Sequence, residues 1–254
     1  PGAEPNAAVG DLDITEQLVI NGVAAQGRPR TTLLQTGADR LFDVALPAGQ
    51  TLRLSNLRMA GGTSSGDGGA MRVAAGAVEV ALQRSELFDN SAARGGAIAS
   101  RSRLVILDSD LHHNTAASEG AAVRVQDNGL VLQRSSVWHN VASDPVAAER
   151  TAVYAANTGL VILQNSTLSH NSGGLRADTG SIEIAASTLV DNSGAGARVD
   201  AVGGATLELR SSVLADNGGG DCVTLGGPTL DLGHFHLIGD GSCPAPGQLA
   251  VSPR

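Results

Sequence analysis

The chain of 254 residues contains no lysine, so all of its 17 basic residues are arginine, and its formal net charge is −8. Nucleic acids and acidic membrane surfaces bind proteins through clustered cations that release counterions. An acidic chain with a pI near 5.1 therefore disfavours both as partners. We expect no nucleic-acid partner.

Aromatic residues are also scarce, at 2% of the chain, whereas the apolar set that includes alanine makes up 42%. The interior must therefore be filled by Val, Ile, Leu and Ala in stacked layers. No stretch approaches the roughly 20 apolar residues that span a bilayer, so no transmembrane segment is predicted. The first ten residues lack the charged and apolar regions of a signal peptide, which is typical of a mature or excised chain.

Cysteine is limited to Cys222 and Cys243, which are 21 residues apart. If the two residues lie on neighbouring turns of a repeat, they could form a disulfide, which would favour an exported location. The alternative is a pair of buried, reduced thiols.

What the chain does contain is a repeat marked by asparagine. Each marker has an apolar residue three places before it and a small polar residue five places before it, and the intervals vary from 21 to 31 residues. Such irregular spacing is typical of coils whose loops vary in length while their strands stay in register. The markers are Asn90, Asn114, Asn140, Asn171, Asn192 and Asn217, with Asp240 continuing the series.

Within one coil, Val78, Val80 and Leu82 alternate with other residues, as in a strand with one buried face. Serine, another inward apolar residue, the marker asparagine and a glycine-rich turn follow. This pattern predicts an all-β, right-handed, single-stranded parallel β-helix with three short strands per coil. We predict a single domain over 1–254, with atypical capping coils in 1–51, regular coils in 52–240 and a tail in 241–254.

The asparagines are predicted to stack into a ladder. A column of side-chain amides can bond backbone groups and the amides above and below, which satisfies polar groups at a buried turn. The ladder is therefore interpreted as structural.

Two sets of short motifs carry a family resemblance. The turn Gly95 to Ile98, with Phe88-Asp89-Asn90, resembles the repeats of bacterial polymorphic outer-membrane proteins. The runs from Gly10 to Thr15 and from Asp221 to Cys243 resemble exported bacterial β-helix proteins of the CSLREA and choice-of-anchor type. This resemblance implies a secreted, extracellular or cell-surface location and a Cys222–Cys243 bond.

Aligned coils place imidazoles in one external column, at His113, His139 and His170, with carboxylates such as Asp89 at its ends. Three such residues in consecutive coils could bind a divalent metal. The alternative is an exposed turn position that accepts any polar residue. One place earlier lie Phe88, His112 and Trp138. An exposed tryptophan could stack on a sugar or anchor a partner, or it could simply pack against the coil.

The carboxylates of Glu86, Asp108 and Asp110 form a candidate catalytic cluster, since glycoside hydrolysis uses two carboxylates across a cleft. Nearby arginines favour a surface ion-pair network instead. The sequence thus favours a non-catalytic, secreted or surface-displayed binding module without a cofactor, such as an adhesin for a glycan or surface protein. A polysaccharide-degrading lyase or hydrolase and a metal-binding surface protein are the alternatives, and self-association through outward apolar residues is a further expectation.

Overall fold

The computed structural model describes residues 10–29, 31–146, 150–157, 159–200, 205–227, 229–233 and 236–243. The described residues form three long parallel sheets, and each strand pairs with its equivalents in the coils before and after it. The predicted parallel β-helix with three strands per coil is therefore confirmed. Within this part of the chain there is no helix long and apolar enough to cross a membrane.

The three sheets follow one another around each coil. The first sheet contains Leu12–Ile14, Phe42–Val44, Met71–Val73, Ile98–Ser100, Val123–Gln126, Val153–Ala156, Leu175–Ala177, Ala197–Asp200 and Cys222–Leu225. The second contains Leu18–Asn21, Thr51–Ser55, Glu79–Gln83, Leu104–Leu107, Leu130–Gln133, Leu160–Gln164, Ser181–Ala185, Thr206–Arg210 and Thr229–Leu232. The third contains Thr31–Leu34, Leu57–Ala60, Glu86–Phe88, Asp110–His112, Ser136–Trp138, Thr167–Ser169, Thr188–Val190, Val213–Ala215 and Leu237–Ile238.

Two smaller sheets decorate the coils. Thr63–Asp67, Ser91–Arg94, Thr115–Ala116 and Val141–Ala142 form a short parallel sheet after the third sheet. Ala24–Ala25 and Arg28–Pro29 form an antiparallel hairpin in the first described coil. The predicted tail beyond Cys243 lies outside the described residues, as do residues 1–9 of the predicted N-terminal cap.

The core consists of columns of aliphatic side chains in register. In the second sheet Val80 pairs with Leu104, and Leu104 with Leu130, all at most 1% exposed. The predicted alternation is confirmed at Val80 and Leu82 but is wrong at Val78, which is 55% exposed and precedes the strand that begins at Glu79. Stacked layers of this kind exclude water from the coil interior and stabilise it chiefly by apolar burial.

The asparagine ladder forms as predicted along most of its length. From Asn114 to Asn217, each Oδ1 accepts from the backbone N–H and the Nδ2 of the asparagine one coil earlier, at 2.8–3.2 Å. The Oδ1 of Asn90 accepts from the backbone N–H of Gly62. A parallel serine ladder runs beside it, in which each Oγ donates to the carbonyl two residues earlier and accepts a backbone N–H from the preceding coil. Its members are Ser85, Ser109, Ser135, Ser166, Ser187 and Ser212.

The ladder ends differently from the prediction. Asp221, not Asp240, accepts from the backbone N–H and Nδ2 of Asn217, at 3.0 and 2.8 Å. Asp240 instead exchanges backbone-to-carboxylate bonds with Asp221. The assignment of Asp240 as the next rung is therefore wrong, because the shorter turn after Asn217 brings Asp221 into that place. Cys222 and Cys243 are joined by a disulfide, as expected, with their Cα atoms 5.2 Å apart.

Candidate functional site

The turn before each ladder asparagine has a left-handed backbone. The residue preceding the asparagine has φ between 52° and 56° in six successive coils, at Asp89, His113, His139, His170, Asp191 and Asp216. Asp, Asn and His adopt this region several times more often than other non-glycine residues. The left-handed residue is thus the one before the asparagine, and the asparagine itself is not among the residues with positive φ. The backbone thus gives a physical reason for imidazoles and carboxylates in this column.

A stack of rings lies on the outward side of the third sheet, one place before that column. The Phe88 and His112 rings are 5.4 Å apart and nearly parallel, and His112 and Trp138 are 4.4 Å apart with planes inclined by 21°. The register pairs all three residues on adjacent coils. We call Phe88, His112 and Trp138 the aromatic stack.

The two ends of the aromatic stack differ. The Arg58 guanidinium lies 4.9 Å from the centre of the Phe88 ring and covers the first end. At the other end, the strand partner of Trp138 is Ser169, which is too small to cover an indole. Because Trp138 is stacked on His112, its second face is turned towards Ser169. That face forms a shelf, and Trp138 remains partly exposed.

Imidazoles flank this shelf. The His113 and His139 rings contact Trp138 edge-on, with centroids 5.0 and 5.2 Å away. The ring centroids of His139 and His170 are 5.2 Å apart, and Nε2 of His170 lies 3.9 Å from the Asp191 carboxylate. Among the described residues, no three His, Cys, Asp or Glu side chains are arranged to hold a metal. The column of His113, His139 and His170 is thus brought together as stacked rings and not as converging ligands.

A shallow groove of about 420 Å³ adjoins the shelf through His139. His139, His170, Arg150 and Asp191 contribute its polar groups, and Ala142 and two serines contribute smaller surfaces. The groove offers hydrogen-bond donors and acceptors beside an apolar face, which is the usual composition of a small-molecule site.

The three carboxylates of the candidate catalytic cluster differ in their partners. Burial raises the pKa of Glu86, but hydrogen bonds from Arg58 Nε at 2.6 Å and His112 Nε2 at 3.0 Å outweigh it and lower the pKa. Hydrogen bonding from Arg134 lowers the pKa of Asp108. Asp110 is exposed next to Glu86 on the adjacent strand. Neither Glu86 nor Asp108 is therefore suited to act as a general acid.

His112 links the aromatic stack to this carboxylate. Its Nδ1 lies 2.9 Å from Nδ1 of His113, while its Nε2 faces Glu86. With the His112 proton on Nε2, its Nδ1 accepts from His113. The ring is thereby fixed in the orientation that stacks on Trp138.

The structure also contains a cluster that was not predicted from the sequence. On the outward side of the first sheet, the guanidinium groups of Arg124 and Arg176 lie 5.9 and 5.4 Å from the Tyr154 ring. Tyr154 donates to Asp178, and burial, followed by that hydrogen bond, raises the pKa of its phenol. Arg176 also pairs with Asp178 and Asp200, both at 2.9 Å. The sequence does contain a tyrosine between two arginines at equivalent positions of successive coils. Their equivalence becomes clear only once the strand register is known.

The model of the right handed beta helix region family matches residues 73–234, which is more than half of the chain. The chain therefore belongs to this family, which agrees with the right-handed coil predicted from the sequence. Comparison with curated proteins gives no match.

Among solved structures, the chain is similar to the A-module of the mannuronan C-5 epimerase AlgE6 of Azotobacter vinelandii. The identity is 14%, the alignment covers 97% of this chain and 74% of that chain, and the TM-score is 0.37.

Proposed function

We propose that this chain is an exported, non-catalytic β-helix that binds a glycan by stacking a sugar ring on the free face of Trp138. The observation that carries the proposal is the asymmetry of the aromatic stack. One end is closed by Arg58 over Phe88, whereas the other presents the indole above Ser169. An indole face of this kind offers a large apolar surface that loses little side-chain entropy on binding.

The surroundings of the shelf suit a hydroxyl-rich ligand. His139 and His170 border the groove, and both are exposed. Asp191 supplies an acceptor and Arg150 a donor within the same groove. A sugar ring on Trp138 would therefore have polar partners within reach for hydroxyls that project past His139.

Preorganisation supports the same reading. Trp138 is held on one face by His112, and its edges contact His113 and His139. A side chain already fixed in its binding rotamer loses less freedom when a ligand arrives. The disulfide between Cys222 and Cys243 supports the proposed export, since disulfides persist in oxidising compartments.

Trp138 is the only tryptophan of the chain, so its fluorescence reports directly on the proposed site. We expect at least one member of a panel of neutral oligosaccharides to cause a saturable change in the emission of Trp138. Calorimetry should then show that Trp138→Ala weakens binding about tenfold or more, which corresponds to roughly 1.4 kcal/mol. Phe88→Ala, at the closed end of the stack, is the matched control and should change affinity less than threefold.

A second variant distinguishes loss of binding at the shelf from loss of folding. Ser169→Tyr should continue the stack over Trp138, abolish glycan binding and leave the thermal midpoint unchanged or higher. If Ser169→Tyr binds as tightly as the parent, or if Phe88→Ala weakens binding as much as Trp138→Ala, the shelf is not the site.

The runner-up function is a polysaccharide-degrading enzyme that uses Glu86, Asp108 and Asp110. The lowered pKa values of Glu86 and Asp108 disfavour it, because one carboxyl must carry a proton to protonate a leaving group. Replacing Glu86 and Asp110 with alanine tests it. Glycan cleavage by the parent that disappears in this variant, with binding retained, would favour the enzyme.

A further inference from the structure

A strip of apolar side chains runs along the outward side of the second sheet, which precedes the third sheet and its aromatic stack in each coil. Its members are successive register partners on adjacent strands, and each reaches solvent in part. We call this set the second-sheet strip: Ala81, Val105, Val131 and Ile162. A contiguous row of outward aliphatic residues makes this strip a candidate interaction surface.

Charges of opposite sign close the two ends of the strip. Arg53 pairs in register with Ala81 at one end, and Glu183 pairs with Ile162 at the other. Among the ion pairs formed by the described residues, none includes Arg53 or Glu183. Most arginines of the described coils do have an acidic partner, so Arg53 stands out among them.

Glu183 also has a like-charged neighbour. Its register partner in the next coil is Glu208, which itself pairs with Arg210. Like charges placed side by side on adjacent strands are destabilising. A cation from outside the chain would relieve this repulsion at Glu183.

The order of these residues is self-complementary. From the midpoint between Val105 and Val131, Arg53 and Glu183 are each two and a half coils away, or about 12 Å at a spacing of ~4.8 Å. Reversing the direction of the helix axis therefore places Arg53 opposite Glu183, small Ala81 opposite larger Ile162, and Val105 opposite Val131. A rotation by half a turn about an axis parallel to the strands produces this match.

We propose that two copies of this chain associate face to face through the second-sheet strip, related by a two-fold axis that lies in the interface and parallel to the strands. Two Arg53–Glu183 pairs flank an apolar centre in the resulting dimer. The proposal is independent of the glycan site, which lies on the third sheet.

The available area is sufficient. The second sheet has nine described strands of up to five residues. At ~4.8 Å between strands and ~3.3 Å per residue, its face measures roughly 600 Å². Two copies would bury about 1,200 Å² in total, just above the roughly 1,000 Å² that a specific interface needs. We therefore expect a weak, reversible dimer.

Sedimentation velocity over a concentration series tests the proposal on the whole chain. Arg53→Glu and Glu183→Arg should each weaken the dimer about tenfold or more, because each change creates two like-charge contacts. The double variant with both changes restores opposite charges across the two-fold axis and should dimerise nearly as well as the parent. Val131→Asp, at the centre, should abolish the dimer.

Arg28→Glu is the matched control, because it changes the charge equally on the exposed hairpin outside the strip. It should leave the dimer unchanged within about twofold, and circular dichroism should show every variant folded. A parent chain that stays monomeric at several hundred micromolar overturns the proposal. So does a dimer that ignores the single charge reversals, or a double variant that is as weak as the single variants.

Discussion

Removing one rung from the middle of the asparagine ladder should destabilise the whole β-helix measurably. Asn140 is fully buried, and its Oδ1 accepts from the backbone N–H and Nδ2 of Asn114, both at 3.0 Å. Its Nδ2 donates to Leu111 O, Trp138 O and Asn171 Oδ1 at 3.0–3.1 Å. Alanine would remove all of these bonds at once.

The expected loss of stability follows from the buried polar groups that Asn140→Ala leaves without a hydrogen-bond partner. The buried N–H of Asn114 loses its acceptor, at about 1–3 kcal/mol, and the other lost bonds add about 1 kcal/mol in net terms. We therefore expect Asn140→Ala to lower the free energy of unfolding by about 3 kcal/mol. For a domain of this size the thermal midpoint should fall by roughly 6–12 °C.

The assay is thermal and urea unfolding followed by circular dichroism. Asn128→Ala is the control, because Asn128 is exposed and its Nδ2 makes one bond, to Arg101 O. That variant should change stability by less than about 0.5 kcal/mol. If Asn140→Ala costs no more than Asn128→Ala, the stacked amides do not stabilise the coils in the way argued here.

Two other predictions concern the turns and the ladder end. His139→Asn should leave the free energy of unfolding unchanged within about 0.5 kcal/mol, because asparagine tolerates a left-handed backbone. His139→Val should lower it by about 1–2 kcal/mol, because valine tolerates φ of 52° poorly. Equal stabilities of the two variants in urea unfolding would contradict the backbone explanation. Burial raises the pKa of Asp240, but hydrogen bonds from Ser242 and Asp221 outweigh it and lower the pKa below 3.8. Its contribution to stability is thus complete above pH ~4 and is lost as pH falls through the folded-state pKa. Unfolding of Asp240→Asn should therefore depend less on pH below about 4, and a pH profile identical to that of the parent would refute this.

The fold could be predicted from the sequence because each coil repeats the same short-range pattern. Alternation places Val80 and Leu82 inside, and the marker asparagine fixes where the next turn begins. A strand shifted by one residue would expose its whole apolar set, so the register is strongly specified. The same logic failed at Asp240, because the length of a turn decides which side chain fills a rung and short loops leave no periodic signal.

The candidate site was predictable only in part. The sequence put Phe88, His112 and Trp138 in one column, and the structure brings them together as a stack. It could not indicate that Arg58 closes one end, because Arg58 comes from the preceding coil and from a different column. The direction in which a long side chain turns over its neighbours depends on its rotamer, and residue spacing does not determine that rotamer.

The two proposals make a joint prediction, because a rotation about an axis parallel to the strands preserves strand direction. The third sheets of both copies then leave the interface at the same edge, and both Trp138 shelves lie on one side of the dimer. For a soluble short oligosaccharide, Arg53→Glu should bind as tightly as the parent, since the shelf is complete within one chain. On an immobilised glycan the parent dimer can bind through both of its shelves at once. This bivalent binding can raise the apparent affinity about a hundredfold. Surface plasmon resonance should show that this gain disappears in Arg53→Glu and returns in the double variant with Glu183→Arg. Equal binding of all three on the immobilised glycan would separate the dimer from glycan recognition.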